Sequence, residues 1–177
     1  MEKNFQIERL SPILKQKILS WDEYKDKNIE GYENILKYVI YNDFDFYFKY
    51  INKDIEKNFT AYNKNNELFS YVLKENDDVK CFMSCMMDGD IKPDMYIQAI
   101  VSHPLHQHEG NGTVLLKNIL KNHEKYLDVK PVFISALVDT SNLACHKFLK
   151  QFGQMHSYST SMNFDKIVID IDYDRLR

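Results

Sequence analysis

The sequence predicts an α/β fold, and three observations carry that expectation. Runs of β-type residues at Leu68 to Leu73 and Val79 to Met86 flank the turn residues Asn76-Asp77-Asp78, a hairpin signal. Leu116, Ile119, Leu120, His123 and Leu127 stand at i, i+3, i+4, i+7 and i+11, the stripe of a helix with one buried face. Between these regions a glycine-containing turn separates an apolar strand from that helix. At 177 residues the chain fits one domain, and residues 1–177 are read as a single unit.

The remaining elements follow in order. Phe5 to Arg9 alternates apolar and polar residues as a strand does. Ser11-Pro12 then supplies an N-cap and a proline at the first helical position, so a helix from Pro12 to about Trp21 is expected. Ile35, Leu36, Val39 and Ile40, then Phe44, Tyr47, Phe48 and Ile51, recur at helical spacing and predict a second helical region between Tyr32 and Ile55. Asn52 to Glu67, rich in Asn and Lys, reads as a connector. After the hairpin, Tyr96 to Ser102 is a third strand, entered after Pro93, and the striped helix leads to a strand at Val132 to Val138. Cys145, Phe148, Leu149 and Phe152 repeat a helical stripe, and Gly153 stands where a C-terminal cap belongs. Met155 to Phe164 and Ile167 to Ile171 finish as strands.

Composition narrows function by exclusion. With 44% hydrophobic and 28% charged residues, the chain reads as an ordinary globular protein. The apolar run Pro131 to Val138 is too short to cross a bilayer, and Met1-Glu2-Lys3-Asn4 does not open a secretion signal. No membrane association and a cytoplasmic location are therefore expected. A net charge of -3, from 23 Lys plus Arg against 26 Asp plus Glu, leaves no footprint for a nucleic acid partner. Cys81, Cys85 and Cys145 make neither an even disulfide set nor a CxxC pair, and free buried thiols fit a reducing compartment. No GxSxG elbow, P-loop lysine or dinucleotide-binding GxGxxG occurs. Asp22, Glu23, Asp26, Glu30, Glu33, Asp43 and Asp45 crowd an aromatic-rich N-terminal third, a mixture that suits a cationic small molecule.

The turn Gln107-His108-Glu109-Gly110-Asn111-Gly112 carries the chemistry. First-turn amides of a helix have no intrahelical acceptor and the helix dipole favours an anion, so this arrangement presents N–H groups to a phosphate. Gly110 and Gly112 are two of only five glycines, and a backbone that must approach a bulky diphosphate tolerates no side chain. Thr113 adds a hydroxyl at the helix start.

These residues resemble the GNAT superfamily of N-acetyltransferases. Its central motif reads approximately V-x-H-P-x-x-Q/R-x-x-G-x-G/A before a leucine-rich helix. Val101 to Gly112 reads Val-Ser-His-Pro-Leu-His-Gln-His-Glu-Gly-Asn-Gly, followed by Thr113-Val114-Leu115-Leu116. The family's next motif has N-x-x-A, a tyrosine seven residues after the asparagine, and then Gly-Phe. It is matched in part by Asn142, Cys145, Leu149, Gly153 and Gln154. The resemblance covers about Leu68 to Gly153.

The resemblance implies a mixed, mostly antiparallel central sheet with a splayed parallel strand pair and helices on both faces. It implies acetyl-CoA as cosubstrate, no metal, and direct attack of a primary amine on the thioester. Backbone groups of Ile100, Val101 and Ser102 would face the thioester and pantetheine. Gln107, His108, Glu109, Gly110, Asn111, Gly112 and Thr113 would surround the diphosphate, with Asn142, Cys145 and Phe148 also lining the cofactor. A small polyamine-like or aminoglycoside-like acceptor is favoured, peptide and protein amines stay open, and a homodimer is one option for assembly.

Three departures qualify the match. Leu149 occupies the place of the family tyrosine that protonates the leaving thiolate, leaving Tyr158 or water as general acid. At the position of the family's glutamate base stands Tyr96, a poor base near pH 7, and His103 has the better intrinsic pKa. Glu109 replaces a usual Lys or Arg and should weaken diphosphate binding unless its carboxylate turns away, with His108 as a partial offset. The missing tyrosine motivates an alternative, a catalytically silent acyl-CoA-binding or regulatory domain. Two other readings remain: a zinc site at His103, His106 and His108, and Cys145 as a nucleophile beside His146.

Overall fold

A computed structural model describes residues 4–21, 68–160 and 163–177. The expected helical region between Tyr32 and Ile55, the connector after it and the acidic residues Asp22 to Asp45 lie outside the described residues. Among the described residues seven strands form one sheet: β1 (Phe5–Arg9), β2 (Leu68–Glu75), β3 (Asp78–Asp88), β4 (Asp94–Ser102), β5 (Phe133–Asp139), β6 (Gly153–Ser159) and β7 (Phe164–Ile171). Their order is β1-β2-β3-β4-β5-β7-β6. The sheet is mostly antiparallel, with one parallel pair, β4 and β5. The helices are α1 (Pro12–Leu19), α2 (Asn111–Lys121), α3 (His123–Tyr126) and α4 (Leu143–Leu149). The chain divides into two compact units, Met1–Ser84 with Ala99–Leu115 and Cys85–Gln98 with Leu116–Arg177. The three boundaries fall inside β3, β4 and α2, so neither unit is a continuous stretch of chain.

In the first unit β1 pairs antiparallel with β2, from Phe5↔Glu75 to Arg9↔Tyr71. The expected N-cap is present, because Ser11 Oγ accepts from the Leu14 amide at 3.3 Å. The α1 helix stops at Leu19, two residues before the expected end. Leu14 and Ile18 of this helix, with Trp21 beyond it, pack with Val72, Val79, Phe82 and Val101 as a buried cluster. Each such side chain contributes about 1.5–3 kcal/mol by leaving water. The hairpin turn is tighter than its sequence suggested: Asp78 already belongs to β3, and Asn76 takes the left-handed conformation (φ 57°) that a two-residue turn requires and Asn tolerates.

In the second unit the parallel pair runs Asp94↔Phe133, Met95↔Ile134 and Tyr96↔Ser135, and β4 starts two residues earlier than expected. On its other side β5 pairs with β7 along its whole length, Phe133↔Asp170 to Asp139↔Phe164. Two expectations need correction. The stripe Leu116 to Leu127 is not one helix, since α2 ends at Lys121 and Asn122 leaves helical geometry (φ -115°, ψ 39°) before α3 begins. An asparagine side chain competes with the helix for its backbone, and Asn122 Nδ2 donates to Asn118 O at 2.9 Å. Gly153 is not a left-handed cap. It follows a 3-10 turn (Lys150–Phe152) in extended backbone and opens β6, where a Cβ would overlap the Asp170 carbonyl oxygen of β7. Phe164, expected in the sixth strand, begins the seventh.

Candidate functional site

The candidate site is the connection from β4 to α2, which lies wholly in the first unit. β4 ends at Ser102, and the main-chain N–H of His103 donates to the Lys80 carbonyl of β3 at 2.8 Å, anchoring the exit. Pro104–His106 makes one 3-10 turn. His108 (φ 62°) and Gly110 (φ 79°) then take left-handed conformations that turn the chain into α2. A Cβ on Gly110 would meet no atom of the protein within 4 Å, so within the protein itself glycine serves there for its backbone freedom.

The first hydrogen bond of α2 joins Val114 N–H to Gly110 O at 3.0 Å. Asn111, Gly112 and Thr113 therefore carry first-turn amides for which the helix itself supplies no acceptor. Asn111 is 2% exposed and its Nδ2 donates to the His106 carbonyl at 3.1 Å, so its side chain ties the turn together from inside. No acidic residue stands in the first turn of α2.

Glu109, the weak point of the sequence pattern, has a partner within the turn: its Oε1 lies 3.0 Å from His106 Nδ1. His106 Nε2 in turn lies 3.1 Å from Lys80 Nζ. Lys80, from β3, went unnoticed in the sequence reading. Its signal was a charged residue inside the apolar run Val79-Lys80-Cys81-Phe82-Met83, which demands a partner once the strand is buried.

Other expected site residues divide between core and surface. Val101 is buried within the hydrophobic cluster, leaving its main chain as its contribution, while Ile100 and Ser102 are half-buried on the same strand. Ser102 Oγ donates towards Cys81 Sγ at 4.0 Å. His103 Nδ1 accepts the Leu105 amide at 3.1 Å and its ring meets Trp21 edge-on at 5.0 Å, so its Nδ1 lone pair is already engaged. Gln107 and Thr113 are half-buried and His108 is exposed.

In the second unit Tyr96 is half-buried on β4 and Tyr158 is 58% exposed on β6, while Leu149 is buried. Asn142 caps α4, its Oδ1 accepting from the Cys145 amide at 3.0 Å, and Phe148 packs edge-on against Phe152. Burial pushes the Cys145 thiol up to about 11, which leaves little thiolate near neutral pH. His146 Nε2 points to Asp165, 3.7 Å from its carboxylate. The nucleophile reading of Cys145 finds no support in these positions. Among the described residues no three His, Cys, Asp or Glu side chains gather as metal ligands, and both ring nitrogens of His106 are already committed.

The model of the acetyltransferase (GNAT) family matches residues 37–154, two thirds of the chain. The chain belongs to the GNAT acetyltransferase family. Solved structures agree on the GNAT fold. The PaiA N-acetyltransferase of Thermoplasma acidophilum, in complex with coenzyme A, aligns with a TM-score of 0.60 at 14% identity, over 94% of this chain and 99% of its own. The ribosomal-protein-S18-alanine N-acetyltransferase of Escherichia coli gives 0.53 at 16% identity, over 94% and 92%. YncA from Salmonella typhimurium, with acetyl-CoA, gives 0.54 at 14% identity, over 95% and 94%. No curated protein matches this GNAT chain by sequence. Among the described residues no helix is long and apolar enough to cross a membrane.

Proposed function

We propose that this GNAT protein is an N-acetyltransferase, a single domain over residues 1–177, that moves an acetyl group from acetyl-CoA to a primary amine. The observation that carries the reading is the start of α2. Amides of Asn111, Gly112 and Thr113 without helical acceptors follow a left-handed Gly110, and the carboxylate that precedes it in the chain, Glu109, is paired with His106. Such an end suits a diphosphate, and the relatives in complex with coenzyme A or acetyl-CoA support that choice.

When bound, acetyl-CoA supplies an activated acyl group. The protein's part is orientation: α2 amides and Gln107 to Thr113 hold the diphosphate, main-chain groups of Ile100 to Ser102 polarise the thioester, and the amine attacks directly. With Leu149 buried where the family tyrosine would stand, and the His103 Nδ1 lone pair taken by Leu105, proton transfer falls to Tyr96, Tyr158 or water. The acceptor we favour is a small cationic amine, on the acidic, aromatic N-terminal third of the sequence. A protein α-amine is the rival acceptor, since one relative is named for ribosomal protein S18 alanine. The buried Leu149 favours a second reading, an acyl-CoA-binding domain without catalysis.

The test is release of coenzyme A thiol from acetyl-CoA across an amine library that includes peptides, beside a Gly112→Asp variant. Turnover in the parent and not in the variant is expected. Equal rates would refute the diphosphate turn, and binding without turnover would establish the silent domain.

A further inference from the structure

Among the described residues Lys80 is the one charged side chain that is buried, at 6% exposure near the start of β3. Its Nζ lies 3.8 Å from both Glu75 and Asp78, whose carboxylates surround it from the hairpin. On the other side it meets His106 Nε2 at 3.1 Å. A lysine Nζ only donates here, so the His106 Nε2 lone pair accepts and the ring carries its proton on Nδ1, assigned from this network. That proton faces Glu109 Oε1 at 3.0 Å. The tautomer that holds Glu109 is thus set by a residue on another strand. In the opposite tautomer an Nδ1 lone pair would confront the carboxylate, and this hydrogen bond would be lost.

We propose that Lys80 is a positioning residue for the diphosphate turn, holding the Glu109 carboxylate off the start of α2 through His106 so that coenzyme A can bind. This rests on the reading of Gln107 to Thr113 as the diphosphate site. Lys80 holds the turn at a second point, since its carbonyl accepts the His103 amide. The His106 carbonyl takes the Asn111 amide side chain, so a shift of the ring is felt at the first residue of α2.

The test is calorimetric binding of coenzyme A to the parent protein, Lys80→Met, Glu109→Gln and the double variant. Lys80→Met is expected to weaken binding about tenfold, and Glu109→Gln to restore the double variant to within about threefold of Glu109→Gln alone. A lysine needed only for folding would give no such rescue. Should Lys80→Met fail to fold, His106→Phe, at a half-exposed position, must show the same loss and the same rescue. Unchanged affinity in a folded Lys80→Met or in His106→Phe, or loss that Glu109→Gln does not relieve, overturns the proposal. Gly112→Asp separates the two readings. If the parent binds coenzyme A and Gly112→Asp does not, the diphosphate site stands and an unaffected Lys80 variant counts against Lys80 alone. If the parent binds none, the site itself is wrong.

Discussion

Two helices of this protein begin in opposite ways. α4 starts on Asn142, whose side chain accepts the Cys145 amide and closes the end. α2 starts on Gly110, which has no side chain to offer, and its neighbour Asn111 turns inward to His106 O. A capped end has satisfied part of its orphan donors and gains little from a ligand. An end that forgoes a side-chain cap keeps its donors for something that arrives. The contrast teaches that the two motifs start their helices differently in this chain: the first leaves its helix end without a side-chain cap, the second caps it. The glycines follow the same division, Gly110 serving a left-handed turn and Gly153 a close approach of strands.

The strongest way to break the contrast is to place the same charge at both helix starts. Gly112→Asp should weaken coenzyme A binding on the order of 100-fold, about 2.7 kcal/mol, whereas Asn142→Asp, which keeps a capping oxygen, should weaken it far less by calorimetry. Comparable losses at both would end the distinction. Next come the glycines. Gly153→Ala must push a methyl into the Asp170 carbonyl and should cost about 1–3 kcal/mol in urea denaturation. Gly110→Ala should cost about 1 kcal/mol, and Gly110→Asn distinctly less, because only conformation is at stake there. Asn142→Ala should lose about 1 kcal/mol of stability in the same measurement.

The smallest effect belongs to Asp94, at the opposite end of β4 from the turn. Burial raises its pKa, against the opposing hydrogen bond from Ser135 Oγ at 2.6 Å. A carboxyl whose folded pKa is raised favours the fold when protonated and loses that contribution as pH rises through the folded value. Asp94→Asn should therefore stabilise modestly at pH 7, with the gain shrinking as pH falls towards the ordinary carboxylate range, measured by thermal denaturation at each pH.

Much of this was legible in the chain. The strands, the Ser11 cap and the turn could be read because their signals are local: alternation, a hydroxyl before proline, two glycines between strand and helix. The break at Asn122 was hidden because Leu127 is buried at a helical interval even though the helix does not continue to it. Gly153 looked like a cap because it follows a helical stripe, yet the reason for it lies on β7. Lys80 and His106 are 26 positions apart, and only folding brings a β3 lysine under the turn. Glu109 reads as a defect because the lysine that orients its partner His106 is brought there only by the fold.

The three thiols have a practical consequence at the bench. Burial pushes Cys81 and Cys85 up to about 12 and Cys145 to about 11. Near neutral pH they hold almost no thiolate, the form that attacks disulfide reporters. The folded protein should therefore contribute almost no colour to a thiol-reactive dye, and the signal from each turnover can be read as coenzyme A alone.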